Sequence, residues 1–464
     1  MNAKESRIAV LAETPPLKAI LAMAIPVILG MIVQVLYNMV DTFFVGKLND
    51  VNQLAAANVS FPFFMIMMGF GGIIGVGAAS VISRYLGMKK TREAGEIVGL
   101  SFILVAIVGI AVTALSVAFL EPILALIGAR GDVVPPTRSY LLPLILGSTA
   151  IMGNFTLGVM IRAEGGAVNA MRGMIIGSVV NIILNPIMIF AFKWGIAGSA
   201  WATVTANAVG ILWYLRCYAR ASILKISFGR RIWRSAYFRE IFSIGVPSGI
   251  NQGLMSLAVI IANNLATEYG AAVLAAMGIA SKVNSLIILM LIGLATGCQP
   301  LFGYNYGAGN RARLVAILKT SMALAVGMGA VLFGAFVLTD RWLISAFSAI
   351  PEVVDQGSFI LIAMACSAPA VGVIMIVMNC LQAIGKAIPS LILSAGRQGV
   401  FYIPLLFALN GLFGFHGLVF TQPIVDFLMA VVATLMLRFV LRTDSTLRKG
   451  ATPRSEAGQG LTAQ

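Results

Sequence analysis

Apolar runs long enough to cross a bilayer follow one another along almost the whole chain, broken only by short polar or glycine-containing turns. A spanning helix needs about 20 mainly apolar residues to cover about 30 Å of hydrocarbon, and twelve stretches qualify. Six lie near residues 17–45, 54–82, 97–120, 139–161, 171–192 and 196–217. Six more lie near 240–266, 272–301, 314–339, 357–382, 388–410 and 414–440. Lipid offers a bare backbone no hydrogen-bond partners, so such runs are predicted to be α-helices and the chain an all-α integral membrane protein.

The second set of runs repeats the first. Leu54-Ala55-Ala56 returns as Leu274-Ala275-Ala276, Pro26 as Pro247 and Gly87 as Gly307, an offset near 220 residues. Later matches, Gly166 with Gly385, Gly195 with Gly414 and Gly198 with Gly417, shift that offset by one. Six spans per copy return the chain to its starting side, so the copies share one orientation and are related by a pseudo-two-fold along the membrane normal. The predicted division is an N-terminal six-helix lobe over 1–218, a cytoplasmic linker over 219–239, a C-terminal six-helix lobe over 240–443, and a disordered cytoplasmic tail over 444–464.

Composition agrees: 59% of residues are hydrophobic and 11% charged. A net charge of +15 would suggest nucleic acid in a soluble protein, but here it follows the loops. Of the Lys and Arg residues, 25 fall on the side holding both termini, including Arg84, Lys89, Lys90 and Arg92 and the runs Arg216 to Arg239 and Arg438 to Arg454. The other side holds five, Lys47, Arg130, Arg138, Lys193 and Arg341, while Lys282 and Arg397 fall inside spans. This bias places both termini in the cytoplasm and removes the case for a nucleic-acid partner. The first sixteen residues are mostly polar or charged and lead into a span too long for a signal core, so no cleavable leader is expected.

Cys217, Cys298, Cys366 and Cys380 sit in or beside apolar spans without metal spacing and are read as small packing residues. His416, the single histidine, stands between Gly414 and Gly417 in a short turn and is assigned a structural place rather than a proton relay. No phosphate-binding glycine loop, catalytic triad or metal cluster can be assembled, so neither an enzyme nor a cofactor is expected.

Candidate chemistry then rests on ionisable groups inside the membrane, where each is costly. Asp41 lies late in the first span, on one helical face with Gln34, Tyr37 and Asn38. It stands about 36 Å of helix from the start of that span, in the outer half of any cavity. Asn181 and Asn185, one turn apart on the fifth span before Pro186, and Thr203 on the sixth could ring its carboxylate. Such oxygens suit Na⁺, whereas a lone acid short of water suits H⁺; the residues do not choose, and asparagines also serve as interhelical glue. In the second half Lys282, Arg397 and Asp426 are read first as a mutually neutralising group, with substrate contact as the alternative. Matched positions lack the first half's chemistry: Asn181 falls opposite Val400, Asn185 opposite Pro404 and Thr203 opposite Gln422. Phe61, Phe63, Phe64, Met65, Met67, Met68 and Phe70 crowd the second span and Met255 joins from the seventh. Those that face a cavity, with Phe61, Met65 and Met255 as candidates, would accept varied cationic amphiphiles, and the rest would face lipid.

Several segments together resemble the multidrug and toxic compound extrusion (MATE) transporters of the bacterial efflux branch. They are Val40-Asp41-Thr42 with Gly46, Arg162-Ala163-Glu164-Gly165, Asn181-Ile182-Ile183-Leu184-Asn185-Pro186 and Gly198-Ser199-Ala200-Trp201-Ala202-Thr203. The second half adds Gln299-Pro300, Gly303-Tyr304-Asn305-Tyr306-Gly307-Ala308, Leu381-Gln382-Ala383-Ile384-Gly385, and Arg397-Gln398 before Pro404. The resemblance implies a V-shaped pair of six-helix lobes that alternates access and exports amphiphilic, often cationic, compounds in exchange for Na⁺ or H⁺. It also implies a cation site at Asp41, Asn181, Asn185 and Thr203. Many relatives carry an acid where this chain has Asn185, and the second-lobe acids of some relatives are replaced near Met255 and Val371.

The expected function is secondary multidrug efflux from the bacterial cytoplasmic (inner) membrane, coupled through Asp41 and hinged at Pro26, where proline removes a backbone donor. No obligatory protein partner is expected, since the duplication supplies both lobes to a monomer. A lipid-linked oligosaccharide flippase is the first alternative, disfavoured because only Lys282 and Arg397 are available to hold a pyrophosphate. A membrane-embedded enzyme or receptor is the second, disfavoured by the missing catalytic cluster and sensing domain.

Overall fold

A computed structural model describes residues 3–444 apart from 49 and 349; the predicted tail beyond 444 lies outside the described residues. All regular structure among them is helical. A short α1 (Ala3–Ala12) precedes α2 (Pro16–Gly46), α3 (Val51–Gly87), α4 (Thr91–Ala118) and a two-turn α5 (Leu120–Leu126). The first lobe continues with α6 (Val134–Leu146), α7 (Ser148–Ala163), α8 (Ala167–Pro186) and α9 (Ile196–Arg220). The second comprises α10 (Ser235–Ala266), α11 (Ala271–Gly307), α12 (Arg311–Ser345), α13 (Pro351–Ala365), α14 (Ala368–Ala383), α15 (Ala387–Ala395), α16 (Tyr402–Phe413) and α17 (Phe415–Thr443).

Among the described residues, ten helices are long and apolar enough to span a bilayer, and two broken pairs bring the count to twelve. Both broken spans are the fourth of their half: α6 and α7 meet at 53°, α13 and α14 at 43°. The sequence placed one straight run at each. At the first break Ser148 Oγ donates to the Gly109 carbonyl, 3.0 Å, and lies 2.8 Å from Thr113 Oγ1, so side-chain hydrogen bonds to α4 hold the bend. The outer faces expose large apolar side chains such as Leu126, Val331, Leu338 and Trp342. Exposure of this extent suits lipid rather than water.

The duplication is visible in the backbone. Gly195 (φ 54°, ψ −138°) and Gly414 (φ 57°, ψ −135°) turn the chain identically before the last span of each half, a conformation that a side chain would strain. Left-handed residues also recur at Lys89 and Gly309 and at Gly165 and Gly385. The counterpart of Gly385 is therefore Gly165, not the Gly166 expected from sequence, and the offset slips later, between 165 and 195.

The lobes meet along reciprocal seams. A Cβ on Gly87 of α3 would collide with the Tyr304 carbonyl of α11, and one on Gly307 of α11 with the Arg84 carbonyl of α3. Gly77 and Gly245 bring α3 against α10 in the same way, while Gly293 and Gly297 of α11 pack on Ile28 and Ala24 of α2. All of these contacts lie toward the face that carries the termini, where α1 joins in: the Leu11 carbonyl accepts from Asn305 Nδ2 at 3.1 Å. Farther along, residues such as Leu36, Met39, Phe61, Met255 and Ile260 are exposed, so the lobes part toward the opposite face.

Candidate functional site

Two adjoining chambers run through the first lobe. The outer one, about 240 Å³, is lined by Tyr37, Asn38, Asp41 and Thr42 of α2, Phe61 and Phe64 of α3, Tyr140 of α6 and Thr203 of α9. The inner one, about 110 Å³, is lined by Gln34 and Tyr37, by Asn154 and Arg162 of α7, by Ser178 and Asn181 of α8, and by Thr203, Asn207 and Tyr214 of α9. Tyr37, Phe64 and Thr203 belong to both and form the partition. The polar stripe of α2 thus faces the chambers, with Gln34, Tyr37 and Asp41 half-buried and Asn38 exposed at the outer one.

Asp41 sits beside that partition. Its Oδ1 accepts hydrogen bonds from Asn185 Nδ2 and from Ser199 Oγ, the latter at 2.6 Å. Asn185 Nδ2 also lies 3.4 Å from Asn181 Oδ1, and Asn181 Nδ2 donates to Thr203 Oγ1 at 3.2 Å. A second string continues inward: Asn207 Nδ2 donates to the Thr203 carbonyl at 2.8 Å, and Asn154 Nδ2 to Asn207 Oδ1 at 2.9 Å. Asp41, Asn181, Asn185 and Thr203 therefore form one connected group. No cation pairs with Asp41 among the described residues. Its Oδ2 has no protein partner there and is not sealed from the outer chamber, whereas Asn185 Oδ1 is sealed and unpartnered.

Ser199 was missed from sequence because a serine within Gly198-Ser199-Ala200 reads as small-residue packing. Only its height on α9, set by the Gly195 turn, brings the hydroxyl to Asp41. Arg162 was counted among the loop cations but is only 9% exposed and lies inside the lobe. Met65 and Met255 line neither chamber. Met65 instead takes a long contact from Gln252 Nε2 across the seam, 3.7 Å, and Met255 is exposed beyond it. Pro26 lies within an unbroken α2, near the packing of Ala24 and Ile28 on α11.

The second lobe is closed by contrast. Arg397 Nε donates to Asp426 Oδ1 at 2.7 Å, Gln422 Nε2 to the same oxygen at 2.9 Å, and Ser367 Oγ to Oδ2 at 2.9 Å. Arg397 is 9% and Asp426 1% exposed. Arg397 rides a π-helical stretch, Gly396–Val400, between α15 and α16, where one wider turn swings its side chain toward α17. Lys282 is exposed and has no ion pair among the described residues, so the expected three-membered group is a pair with hydrogen-bonded helpers. His416 packs its ring 5.4 Å from Phe359 and 5.9 Å from Phe415. Cys217, Cys298 and Cys380 are buried, and no group of three His, Cys, Asp or Glu residues suited to a metal occurs among the described residues.

The MatE family model matches residues 26–187 and again 247–408, one copy per lobe. The Staphylococcus aureus (strain NCTC 8325 / PS 47) multidrug export protein MepA is 28% identical over 446 residues, covering 96% of this chain and 98% of its own. MepA of Staphylococcus saprophyticus is 29% identical over 447 residues with the same coverage. A solved outward-facing multidrug resistance MATE family transporter superposes with a TM-score of 0.89 at 26% identity, over 95% of this chain and 98% of that one. The twelve-helix, two-lobed chain with one polar column belongs to the MatE family of membrane transporters.

Proposed function

We propose that the chain exports amphiphilic or cationic compounds across the bacterial cytoplasmic membrane in exchange for protons, with Asp41 as the coupling group. The observation that carries this reading is the state of Asp41: a carboxylate without a cationic partner, one oxygen fixed by two donors and the other open to a chamber. A carboxylate placed so can gain and lose a proton without dismantling an ion pair. Both fixed contacts come from N–H and O–H donors, and the amide N–H of Asn185 in particular presents no lone pair to a metal cation.

Proton arrival from the open side weakens the pull of Asp41 on Asn185 of α8 and Ser199 of α9. The end of α2 then repacks, and bending of the helix at Pro26 would carry the change to the seam with α11. Proton and exported compound oppose each other through this one group, and linkage makes the opposition mutual. The charge bias puts the termini in the cytoplasm and hence the open face outside. The duplicated lobes let a monomer work without cofactor, nucleic acid or obligatory partner.

Sodium is a second reading, favoured by the buried, unpartnered Asn185 Oδ1. Turning that amide over would present an oxygen instead of a donor beside Asp41. Proteoliposomes bathed in ethidium, with H⁺ and Na⁺ gradients imposed separately, decide: uptake driven by ΔpH alone supports protons, uptake driven by Na⁺ alone supports the turned amide, and no uptake under either gradient refutes the export reading.

A further inference from the structure

The inner chamber contains a cation that the export mechanism does not use. Arg162 occupies the last turn of α7, is 9% exposed, and lines the chamber. Its guanidinium takes part in no ion pair or hydrogen bond among the described residues, none of its nitrogens is sealed away without a partner, and the side chain lines the chamber. The nearby acid in sequence does not neutralise it. Glu164 turns to the other side of the chain, where its Oε2 accepts from Ser222 Oγ at 2.6 Å and from the Ile223 amide at 3.3 Å. Among the described residues no carboxylate lines the inner chamber, so Arg162 gives it a formal charge of +1.

An arginine stays charged in any protein environment, and a buried charge without a counter-charge is among the costliest features a fold can carry. The chamber supplies what an anion needs. Ser178, one turn before Asn181 on α8, is 4% exposed and its hydroxyl has no protein partner among the described residues. The idle Asn154 Oδ1, an acceptor that would repel an anion, is sealed off against Gly210 of α9. At about 110 Å³ the space takes a small ion with some water, well below the roughly 300 Å³ at which pockets begin to enclose drug-sized molecules.

We propose that the inner chamber binds one small monovalent anion, of chloride or formate size, on the Arg162 guanidinium with the Ser178 hydroxyl as second donor. The source is either a free inorganic anion or a small carboxylate. The site goes beyond the export reading, and its occupancy is measured by binding alone, so failure of export would leave it standing.

The test uses the full-length protein purified in detergent and exchanged into potassium gluconate, whose anion is too large for the chamber. Potassium chloride and, separately, potassium formate replace gluconate at constant ionic strength while the Tm is followed. The expected result is a saturable rise of roughly 3 °C with one or both anions. Response to chloride identifies the inorganic source, and response to formate alone identifies a carboxylate. Arg162→Gln should abolish the rise and Arg162→Lys should move it to higher concentration. Should Arg162→Gln fail to fold, Ser178→Ala tests the same site and should raise the half-saturating concentration at least about threefold. A flat wild-type response to both anions overturns the proposal, as does an undiminished response in a folded Arg162→Gln or Ser178→Ala protein.

Discussion

The interiors of the two lobes solve the same problem in opposite ways. Each must house ionisable groups within a membrane. The second lobe locks its acid to a cation, with Asp426 held by Arg397, Gln422 and Ser367. The first lobe leaves Asp41 and Arg162 apart, in successive chambers joined by Asn185, Asn181, Thr203, Asn207 and Asn154. On the export reading proposed above, the lone carboxylate beside a chamber is the group that exchanges protons and the locked pair is structural, and the distinction lies in side chains rather than in backbone.

The sharpest way to break this contrast is to neutralise the responsive acid. Asp41→Asn should reduce proton-driven ethidium export in proteoliposomes to the background rate while leaving the folded protein intact; export at the wild-type rate would remove the distinction. In the locked lobe the same kind of change should strike folding instead. Arg397→Met or Asp426→Asn alone should cost about 3–5 kcal/mol, seen as a lower Tm in detergent, and an Arg397→Met, Asp426→Leu double variant should recover most of the loss.

Glu164 sharpens the contrast outside the spans, since its second-lobe counterpart is the buried Ile384. Burial pushes the Glu164 carboxyl up from 4.5 to about 7, against the pull of its bonds to Ser222 and Ile223 and the charge of Arg7. The folded protein keeps this proton up to that pH while the unfolded chain releases it near 4.5. Its contribution to stability is therefore complete below pH 4.5 and is lost as pH rises toward 7, a change of about 3 kcal/mol. Glu164→Gln should flatten that part of the Tm-versus-pH curve.

Ser199→Ala removes one donor from Asp41 and should slow proton-driven export about tenfold, the worth of one hydrogen bond to a charged group. The smallest effect belongs to Lys282→Gln. An exposed, unpaired side chain should change stability by no more than about 0.5 kcal/mol, in contrast to its buried neighbour in charge, Arg397.

Twelve spans and their duplication were legible because apolar length and repeated glycines are local properties of the chain. Asp41, Asn181, Asn185 and Thr203 were legible as well, because polar groups at helical spacing stand out against apolar runs. Ser199 and Arg162 were not. A small hydroxyl among glycine and alanine carries no periodic signal, and a cation at the end of an apolar run reads as a loop charge. The structure places Arg162 inside because α1 and the chain after Arg220 cover that end of the lobe, bringing Arg7 and Leu11 against Gly165 and Ser222 against Glu164. The bends in both fourth spans were hidden for a similar reason: contacts with a neighbouring helix hold the first of them, not its own composition.

The seam of α3 and α11 has a mechanical meaning. Gly87 against Tyr304 and Gly307 against Arg84 place backbone on backbone at one end of two 37-residue helices, each about 55 Å long. In the proposed transport cycle such a joint would serve as the fulcrum of a pair of levers, and a rotation of roughly 10° about it would sweep the far tips through about 9 Å.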